Sequence, residues 1–357
     1  MMKKNIKNII AFSIGCLFIL LIFVFFEAIF RYFYKDNKRI MITKPQLTTC
    51  TERGRKMVYG IKGEGKITVK ENPIIFSFEI DKKGRRITPQ NNDVEKNFNC
   101  LFFGCSFTFG TGVNDDQTMP FYFGQIHPEC KIYNYGIPGG APQEIYLQSC
   151  DNEIFDDIEE KPTIIIYTFI SDHLRRLRGT VNLIFRAPNW VGCLPNLAIV
   201  NDNLVYKGKF EETNPYLFTL GNYLSKSFVI KKLFDLTQID YPYPFTDSNY
   251  DFLLTLLLKT KEKLITYFPI LDFILFVYPE HCVNLATCPK LQYFVNQLEQ
   301  QKDITLILCD DDKMLQKYLK LRSDGKHIIL DGHPSPESYK LFAEWISKDL
   351  SKQGIIK

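Results

Sequence analysis

Three residue types that can perform nucleophilic chemistry occur at the ends of apolar segments in this chain. Ser106 lies in a small-residue turn directly after residues 101–103, and Asp331 and His333 follow residues 328–330. Both apolar segments are typical of short buried strands. In an open α/β sheet, ligands bind outside the carboxyl ends of the strands. A serine, a histidine base and an aspartate that orients the histidine would perform acyl transfer if they met at such an edge.

The elements that must position these residues are predicted from residue 99 onward, where strand-type and helix-type segments alternate. This alternation predicts an α/β fold, a three-layer α/β/α sandwich around a parallel five-stranded sheet of flavodoxin-like type. The predicted strands are residues 100–103, 131–134, 163–169, 272–278, and either 304–309 or 328–330. The predicted helices are residues 118–126, 143–158, 250–268, 290–300 and 336–350.

Sequence composition divides the chain into three parts. Residues 1–38 contain an apolar anchor, residues 39–97 form a β-rich lead-in, and residues 98–357 form the α/β domain. The alternation of elements breaks down at about residues 179–249, which we interpret as an insertion. Within it, residues 197–200 and 204–207 are predicted to form a hairpin. Since loops at this edge of a sheet carry specificity, the insertion either shapes substrate choice or is a structural cap without a ligand role.

The apolar anchor is predicted to be a single membrane span at about residues 9–30. Residues 9–26 contain no charged side chain, and this run has roughly the length that crosses a hydrocarbon core as a helix. A cleaved signal peptide is the alternative, but the run is long and no small-residue cleavage site follows it. Basic residues flank both ends, so the positive-inside rule gives no clean orientation. A short positive N-terminus favours export of the remaining chain, and a cytosolic domain stays open as the other possibility.

Charge and cysteine content exclude several classes of protein. The 357 residues carry 44 basic and 40 acidic side chains, a formal charge of +4, without a basic stripe interleaved with aromatic residues. Nucleic acid is therefore an unfavoured partner. Among ten cysteines there is no Cys-x-x-Cys pair, so we predict no structural zinc site. Nine cysteines lie beyond the span without the spacing of a disulfide framework, so their pairing is left open.

The turn at Ser106 reads Gly104-Cys105-Ser106-Phe107-Thr108. It lacks the Gly-x-Ser-x-Gly elbow of the α/β-hydrolases, because Thr108 stands where the second glycine is required. It resembles the first motif of the SGNH, or GDSL-type, hydrolases, with Cys105 in place of the aspartate and the nucleophile retained. The resemblance covers roughly residues 99–350 apart from the insertion, and it implies an SGNH-type sandwich with Ser106 as nucleophile.

The second and third motifs of that family imply an oxyanion hole. Gly139, in the glycine-bearing loop after the next strand, takes the position whose backbone N–H faces the oxyanion, together with the N–H of Ser106. Ser171 falls on the position of a donating asparagine, and His173 is an alternative donor. His173 and Arg175 are also candidate substrate-binding residues, Arg175 for an acidic substrate; a solvated or paired arginine is the alternative.

The last motif of the family is Asp-x-x-His before the final helix, and two candidates compete for it. Asp324 and His327 have the literal spacing, whereas Asp331 and His333 are one residue closer together. Because the second pair follows the predicted strand 328–330, we take His333 as the base and Asp331 as its orienting acid.

The resemblance implies a serine esterase that hydrolyses acyl esters, O-acetyl esters among them, without a metal or cofactor. An exported, membrane-anchored domain would find such esters on a cell-envelope glycan, a lipid or a small acylated molecule. Two alternatives are an O-acyltransferase that uses a glycan hydroxyl as acceptor, and an inactive member that binds glycan or acts as a scaffold. Cys105, Ser171 and the shortened Asp-x-His spacing favour the inactive alternative.

Overall fold

The computed structural model describes residues 2–33, 41–43, 46–69, 72–237, 240–269, 271–279, 289–308, 311–329 and 331–356. The strands are β1 (Met41–Thr43), β2 (Thr48–Thr51), β3 (Gly54–Met57), β4 (Lys62–Val69), β5 (Asn72–Glu79), β6 (Phe98–Phe103), β7 (Cys130–Asn134), β8 (Thr163–Phe169), β9 (Pro195–Val200), β10 (Asn203–Lys209), β11 (Leu271–Val277) and β12 (Thr305–Ile307). The α-helices are α1 (Met2–Phe33), α2 (Ser106–Phe109), α3 (Met119–Ile126), α4 (Pro142–Ser149), α5 (Asp172–Arg178), α6 (Val181–Arg186), α7 (Pro188–Gly192), α8 (Phe210–Thr213), α9 (Pro215–Leu224), α10 (Phe228–Thr237), α11 (Asp247–Leu264), α12 (Pro289–Gln300), α13 (Asp312–Ser323) and α14 (Pro336–Lys352).

The central sheet has the strand order β12-β11-β8-β6-β7, and every neighbouring pair is parallel. The order reverses direction between β6 and β8, so the loops that follow these two strands diverge at one edge and leave a crevice. All seven residues of β8 are buried, as expected of a central strand covered on both faces. The predicted fold class, a flavodoxin-like α/β/α sandwich, is confirmed.

Alternate residues of each strand face two separate apolar cores. On one face, residues such as Leu101, Ile165 and Leu275 pack with α4, α11 and α12. On the other face, Phe102 and Ile166 pack with α3, α13 and α14. Because successive strand residues point to opposite sides, one apolar run supplies both cores.

The prediction of a strand at residues 328–330 was wrong for Ile328 and Ile329, Leu330 lies outside the described residues, and the fifth strand is β12. Ile328 makes only an isolated bridge to Pro334, and the N–H of Ile329 donates to the carbonyl of His333 at 2.8 Å. The chain thus folds back on itself within a few residues instead of joining the sheet. Ile329 is apolar for another reason, since it packs against the core of the lead-in.

One predicted helix is much shorter in the structure, and one helix of the structure was not predicted. The helix predicted at residues 143–158 ends at Ser149, and a 3-10 helix at Asn152–Ile154 follows, with the Asp151 carboxylate accepting from the N–H of Glu153. Helix α13 was not predicted. It begins at an aspartate cap, Asp311, whose side chain accepts from the N–H of Met314.

The lead-in packs onto the α/β domain through an apolar cluster of its own. Phe76, Phe78 and Ile80 contact Phe109 of α2 and Ile137 of the loop after β7, both at the carboxyl edge of the sheet. The two lead-in sheets, β1-β4-β5 and β2-β3, are antiparallel. Residues 81–84 after β5 form a turn, with the N–H of Gly84 donating to the carbonyl of Asp81.

The insertion contains the predicted hairpin. Strands β9 and β10 pair antiparallel across a two-residue turn in which Asn201 and Asp202 adopt positive φ angles of 49° and 61°. Asparagine and aspartate tolerate this left-handed conformation better than other residues with a Cβ. A disulfide between Cys50 on β2 and Cys193 after α7 joins the lead-in to the insertion.

Arg86 fastens the lead-in to the loop that follows α2. Its guanidinium is fully buried, pairs with Asp115 at 2.7 Å, and donates to the carbonyls of Phe109, Gly110 and Val113. Burial lowers the pKa of Arg86, and the Asp115 carboxylate opposes that shift. One cation therefore satisfies several carbonyls that no strand or helix would satisfy.

We expect Arg86→Leu to lower the free energy of unfolding by about 3–5 kcal/mol, because it leaves Asp115 and the buried carbonyls without their donor. Thermal and urea unfolding of the full chain in detergent would measure the change. Arg322→Met, at an exposed position in α13, is the matched control and should shift stability by less than about 0.5 kcal/mol. An Arg86 variant as stable as this control would contradict the assignment.

Candidate active site

Ser106 is the first residue of α2, immediately after the carboxyl end of β6. The turn depends on Gly104, whose φ is +150°, because a Cβ there would lie 2.3 Å from Oγ1 of Thr108. Thr108 in turn donates to the carbonyl of Phe103 at 3.2 Å. The Ser106 side chain is therefore presented by a tightly closed turn, and the residue is 7% exposed.

Asn134, the last residue of β7, fixes the same turn from the neighbouring strand. Its amide Nδ2 donates to the carbonyls of Thr108 and Phe109, at 3.1 and 3.4 Å, and its Oδ1 accepts from the N–H of Gly136. This side chain is fully buried. It links the turn that carries Ser106 to the glycine-bearing loop after β7.

Asp331 and His333 are brought together in the loop before α14. Nδ1 of His333 lies 2.9 Å from Oδ2 of Asp331, although the two are poorly aligned for a hydrogen bond. The backbone N–H of His333 donates to Oδ1 of Asp331 at 3.1 Å. Burial acts to raise the pKa of Asp331, but the contacts with His333 outweigh it and leave that pKa below its usual range. The aspartate is thus ionised beside the imidazole at neutral pH.

This loop meets the Ser106 turn through aromatic contacts. The ring of Phe107, the residue after Ser106, lies 5.5 Å from the imidazole of His333 and 4.9 Å from the ring of Tyr278. Two segments far apart in sequence therefore converge at the carboxyl edge of the sheet. The predicted contact between the Ser106 hydroxyl and the His333 imidazole stays a prediction.

The competing pair, Asp324 and His327, lies in a different environment. Asp324 is an exposed residue at the C-terminal cap of α13. The ring of His327 lies 6.2 Å from that of Tyr318, and its carbonyl accepts from the hydroxyl of Ser338 at 2.7 Å. These contacts place His327 in the packing around the start of α14.

Gly139 lies in a loop that is covered by two side chains from other parts of the chain. Its φ is +73°, and a Cβ would lie 2.6 Å from Nε1 of Trp190 and 2.9 Å from Nη1 of Arg55. The Arg55 guanidinium donates to the carbonyls of Gly139, at 2.9 Å, and of Pro138. Only glycine combines this backbone conformation with such close neighbours.

A buried charge network surrounds this loop. Arg55 and Arg176 lie 5.8 and 5.4 Å from the Trp190 ring, and Arg176 also donates to the carbonyl of Gly140 at 2.8 Å. Burial lowers the pKa of Arg55 and raises that of Glu144, and the mutual attraction of the two groups opposes both shifts. The network therefore holds the loop by charge-assisted hydrogen bonds in a site with little water.

Cys105, which departs from the family motif, contacts this network. The thiol is fully buried. Burial acts to lower the pKa of Arg176, but the carboxylate of Asp172 and the sulfur of Cys105 outweigh it and raise that pKa. The Cys105 side chain, next to the candidate nucleophile Ser106, therefore contacts the buried guanidinium of Arg176.

The remaining predicted residues lie around α5. Ser171 is half-buried at the start of this helix. His173 is completely buried, with Nδ1 2.8 Å from the hydroxyl of Tyr167. Arg175 pairs with Asp240 at 2.6 Å and lies over the ring of Phe245. His173 and Arg175 thus have protein partners, and their proposed roles toward substrate remain predictions.

Four residues near the site were not predicted as functional, namely Arg55, Asn134, Arg176 and Trp190. Arg55 lies in the lead-in, where an arginine in a polar stretch is typical of a solvated surface. Arg176 directly follows Arg175 in the sequence, and nothing local distinguishes the two arginines. No local pattern marks Arg55 or Arg176, because the carbonyls of Gly139 and Gly140 that they bind lie 84 and 36 positions away in the chain.

We expect Arg55→Leu to accelerate amide hydrogen exchange in residues 137–140 by about tenfold or more, because the carbonyls of Pro138 and Gly139 lose a buried donor worth about 1–3 kcal/mol. Hydrogen exchange with mass spectrometry would measure it. Arg53→Leu, an exposed position in the same hairpin, serves as control. Equal exchange in the two variants would show that Arg55 does not hold the loop.

Comparisons with known proteins return solved structures alone. No family model matches the chain, and no curated protein matches it. A lipolytic G-D-S-L family protein from Veillonella parvula is 12% identical, with 70% of this chain and 97% of that chain covered and a TM-score of 0.38. An acetyl xylan esterase from Geobacillus stearothermophilus is 13% identical, covering 72% and 96%, with a TM-score of 0.37. An α/β hydrolase from the metagenome of Lake Arreo is 11% identical, covering 74% and 98%, with a TM-score of 0.39.

Proposed function

We propose that this chain is a serine esterase of the SGNH type that hydrolyses acyl esters, O-acetyl esters among them, on a cell-envelope glycan or lipid. The observation that carries the proposal is the contact between the rings of Phe107 and His333. It brings the turn with Ser106 and the Asp331–His333 pair to one edge of the sheet. These are the residue types that a serine nucleophile, a general base and an orienting acid require.

In the proposed mechanism, His333 accepts the hydroxyl proton of Ser106 as Oγ attacks the ester carbonyl. Asp331, which already lies beside Nδ1, holds the imidazole so that its Nε2 acts as the base, and it stabilises the imidazolium that forms. His333 then protonates the leaving alcohol. Water, deprotonated by the same imidazole, attacks the acyl-enzyme; the imidazolium then protonates Oγ of Ser106 as the acyl–Oγ bond breaks and the acid is released.

The oxyanion of the tetrahedral intermediate would be held by the N–H groups of Ser106 and Gly139, with Ser171 as a third donor. Each preorganised donor in a site with little water contributes about 10²–10³-fold to the rate. The network of Arg55 and Arg176 supports this role, because it binds the carbonyls of Gly139 and Gly140 and so restricts the orientation of the loop.

The substrate class follows from location. Helix α1 contains one segment, Ala11–Tyr32, that is long and apolar enough to cross a membrane, a test that a signal sequence also passes. The Cys50–Cys193 disulfide supports an oxidising compartment, since such bonds are rare in the cytosol. We therefore propose an uncleaved span with the catalytic domain on the extracytoplasmic side, where acylated glycans and lipids occur.

We expect Ser106→Ala to abolish labelling by a fluorophosphonate probe and His333→Ala to reduce p-nitrophenyl acetate turnover by about 10³-fold or more. His327→Ala, which alters the competing histidine, should retain labelling and turnover. Undiminished labelling of Ser106→Ala would remove this residue from the nucleophile role. Loss of turnover in His327→Ala alone would transfer the base to the other pair.

Product analysis separates the two alternatives from the hydrolase. With an acylated oligosaccharide as substrate, a hydrolase releases free acid, whereas an O-acyltransferase produces a newly acylated acceptor. An inactive member would give neither product and no probe labelling, yet would retain glycan binding. The buried Cys105 in place of the family's aspartate is the observation that favours this last alternative.

The proposed location is tested by the state of Cys50 and Cys193 in cells. We expect peptides linked by this disulfide after rapid acid quenching and alkylation, because an exported domain folds under oxidising conditions. Cys150, a half-buried free cysteine, is the internal control and should be alkylated. Both Cys50 and Cys193 alkylated in full would instead place the domain in the cytosol.

A further inference from the structure

We propose that the insertion has a second membrane-contact surface, formed by α9 and α10, which lies on the bilayer that α1 spans. We call this surface the outer face. It consists of the exposed apolar and aromatic side chains Tyr216, Leu220, Tyr223, Leu233 and Leu236. The occupant is lipid; the proposal rests on the uncleaved span proposed above, and it holds whether or not Ser106 is a nucleophile.

The first observation is that α1 is joined to α10 by hydrogen bonds. The carboxylate of Glu27 accepts from the backbone N–H groups of Phe228 and Val229, at 2.9 and 3.1 Å, and from the hydroxyl of Ser227 at 2.8 Å. Arg31 donates to the carbonyl of Lys226 at 3.0 Å. A carboxylate at the first N–H groups of a helix is a favourable cap, so α10 begins directly beside α1.

The second observation is the depth at which this contact occurs. Glu27 is the first charged residue after the uncharged residues 9–26, which span about 27 Å as a helix, close to the hydrocarbon thickness of a bilayer. The carboxylate of Glu27 therefore lies at the boundary between acyl chains and headgroups. Because α10 is bonded to it, this helix is held at the same level.

The third observation is the composition of the outer face. Tyr216, Leu220 and Tyr223 occur at helical spacing on α9 and are 90%, 51% and 70% exposed. The opposite side of the helix, with Phe218 and Gly221, is already buried in the insertion's own core. A helix that buries one apolar stripe and exposes a second one needs a second partner that covers the exposed stripe.

Helix α10 repeats this arrangement. Phe234 packs on Phe185 of α6 with ring centroids 4.8 Å apart, whereas Leu233 and Leu236 are 51% and 72% exposed. Tyr241 and Tyr243, which follow α10, are also exposed. Tyrosine side chains are enriched where membranes meet water, because their rings are apolar and their hydroxyls are polar.

Basic residues flank the outer face. Lys226 lies over the ring of Tyr223, with Nζ 5.4 Å from the centroid, and Lys231 is exposed on α10. Apolar side chains with lysines beside them are typical of helices that lie in the interface of a membrane with anionic lipids. A soluble protein partner would not explain why this surface begins at the end of the span.

The experiment uses the full chain in proteoliposomes that contain anionic lipid, at about one copy per vesicle, with and without brominated acyl chains. Leu236→Trp and Leu220→Trp place a fluorophore on each helix, and the emission of the wild-type chain, from Trp190 and Trp345, is subtracted. We expect brominated lipid to quench both introduced side chains by roughly twofold, since interfacial helices insert their apolar face by about 5–10 Å.

Ile265→Trp is the matched control. Ile265 is 43% exposed, and it follows α11, which runs from the insertion back to the opposite edge of the sheet before β11. Brominated lipid should not quench the emission of the Trp introduced at this position. The proposal would be overturned if brominated lipid quenched the Trp introduced at Leu236 and at Leu220 no more than the Trp at Ile265. It would also be overturned if the emission changed only at several copies per vesicle, because a second copy would then cover the outer face.

Discussion

In a parallel sheet the carboxyl ends of all strands lie at one edge, and the whole site depends on this constraint. Strands β6, β7 and β8 end side by side, so the loops that carry Ser106, Gly139 and Ser171 are neighbours because of the strand order itself. The reversal of strand order between β6 and β8 then opens space where these loops diverge. Each loop needs only a local turn geometry in order to present its residue at the crevice.

Because several loops meet at one edge, a group of backbone carbonyls there receives no hydrogen bond from a neighbouring strand or helix. Buried side chains from elsewhere in the chain satisfy them. Arg86 binds carbonyls after α2, Arg55 and Arg176 bind carbonyls after β7, and Asn134 connects the two loops. A guanidinium suits this task because its donors are fixed in a plane and it stays charged when buried beside a carboxylate. The polar interior of the site is thus structural in its own right.

The lead-in and the insertion are joined around this edge. Arg55 from the lead-in and Trp190 from the insertion both cover Gly139, and the Cys50–Cys193 disulfide connects the two segments beside them. The insertion also carries α10, which contacts the end of α1. A continuous chain of contacts therefore leads from the apolar N-terminal helix, through the insertion, to the glycine loop. This arrangement is consistent with an α/β domain that acts close to a membrane surface.

The sequence by itself determined the class of the fold, the hairpin of β9 and β10 and the turn after β6 that carries Ser106. These features are local: residues 163–169 form an apolar run that only a central strand can bury, and Asn201 and Asp202 suit a tight turn. Periodicity failed at Ile328 and Ile329, because the first side chain is exposed and the second packs on the lead-in and not in the sheet. Tertiary structure alone decided the partners of Arg55 and Arg86 and the pairing of Cys50 with Cys193, which are 143 residues apart. A buried cation or thiol has the same local sequence as an exposed one, since what distinguishes them is a partner supplied by a distant part of the chain.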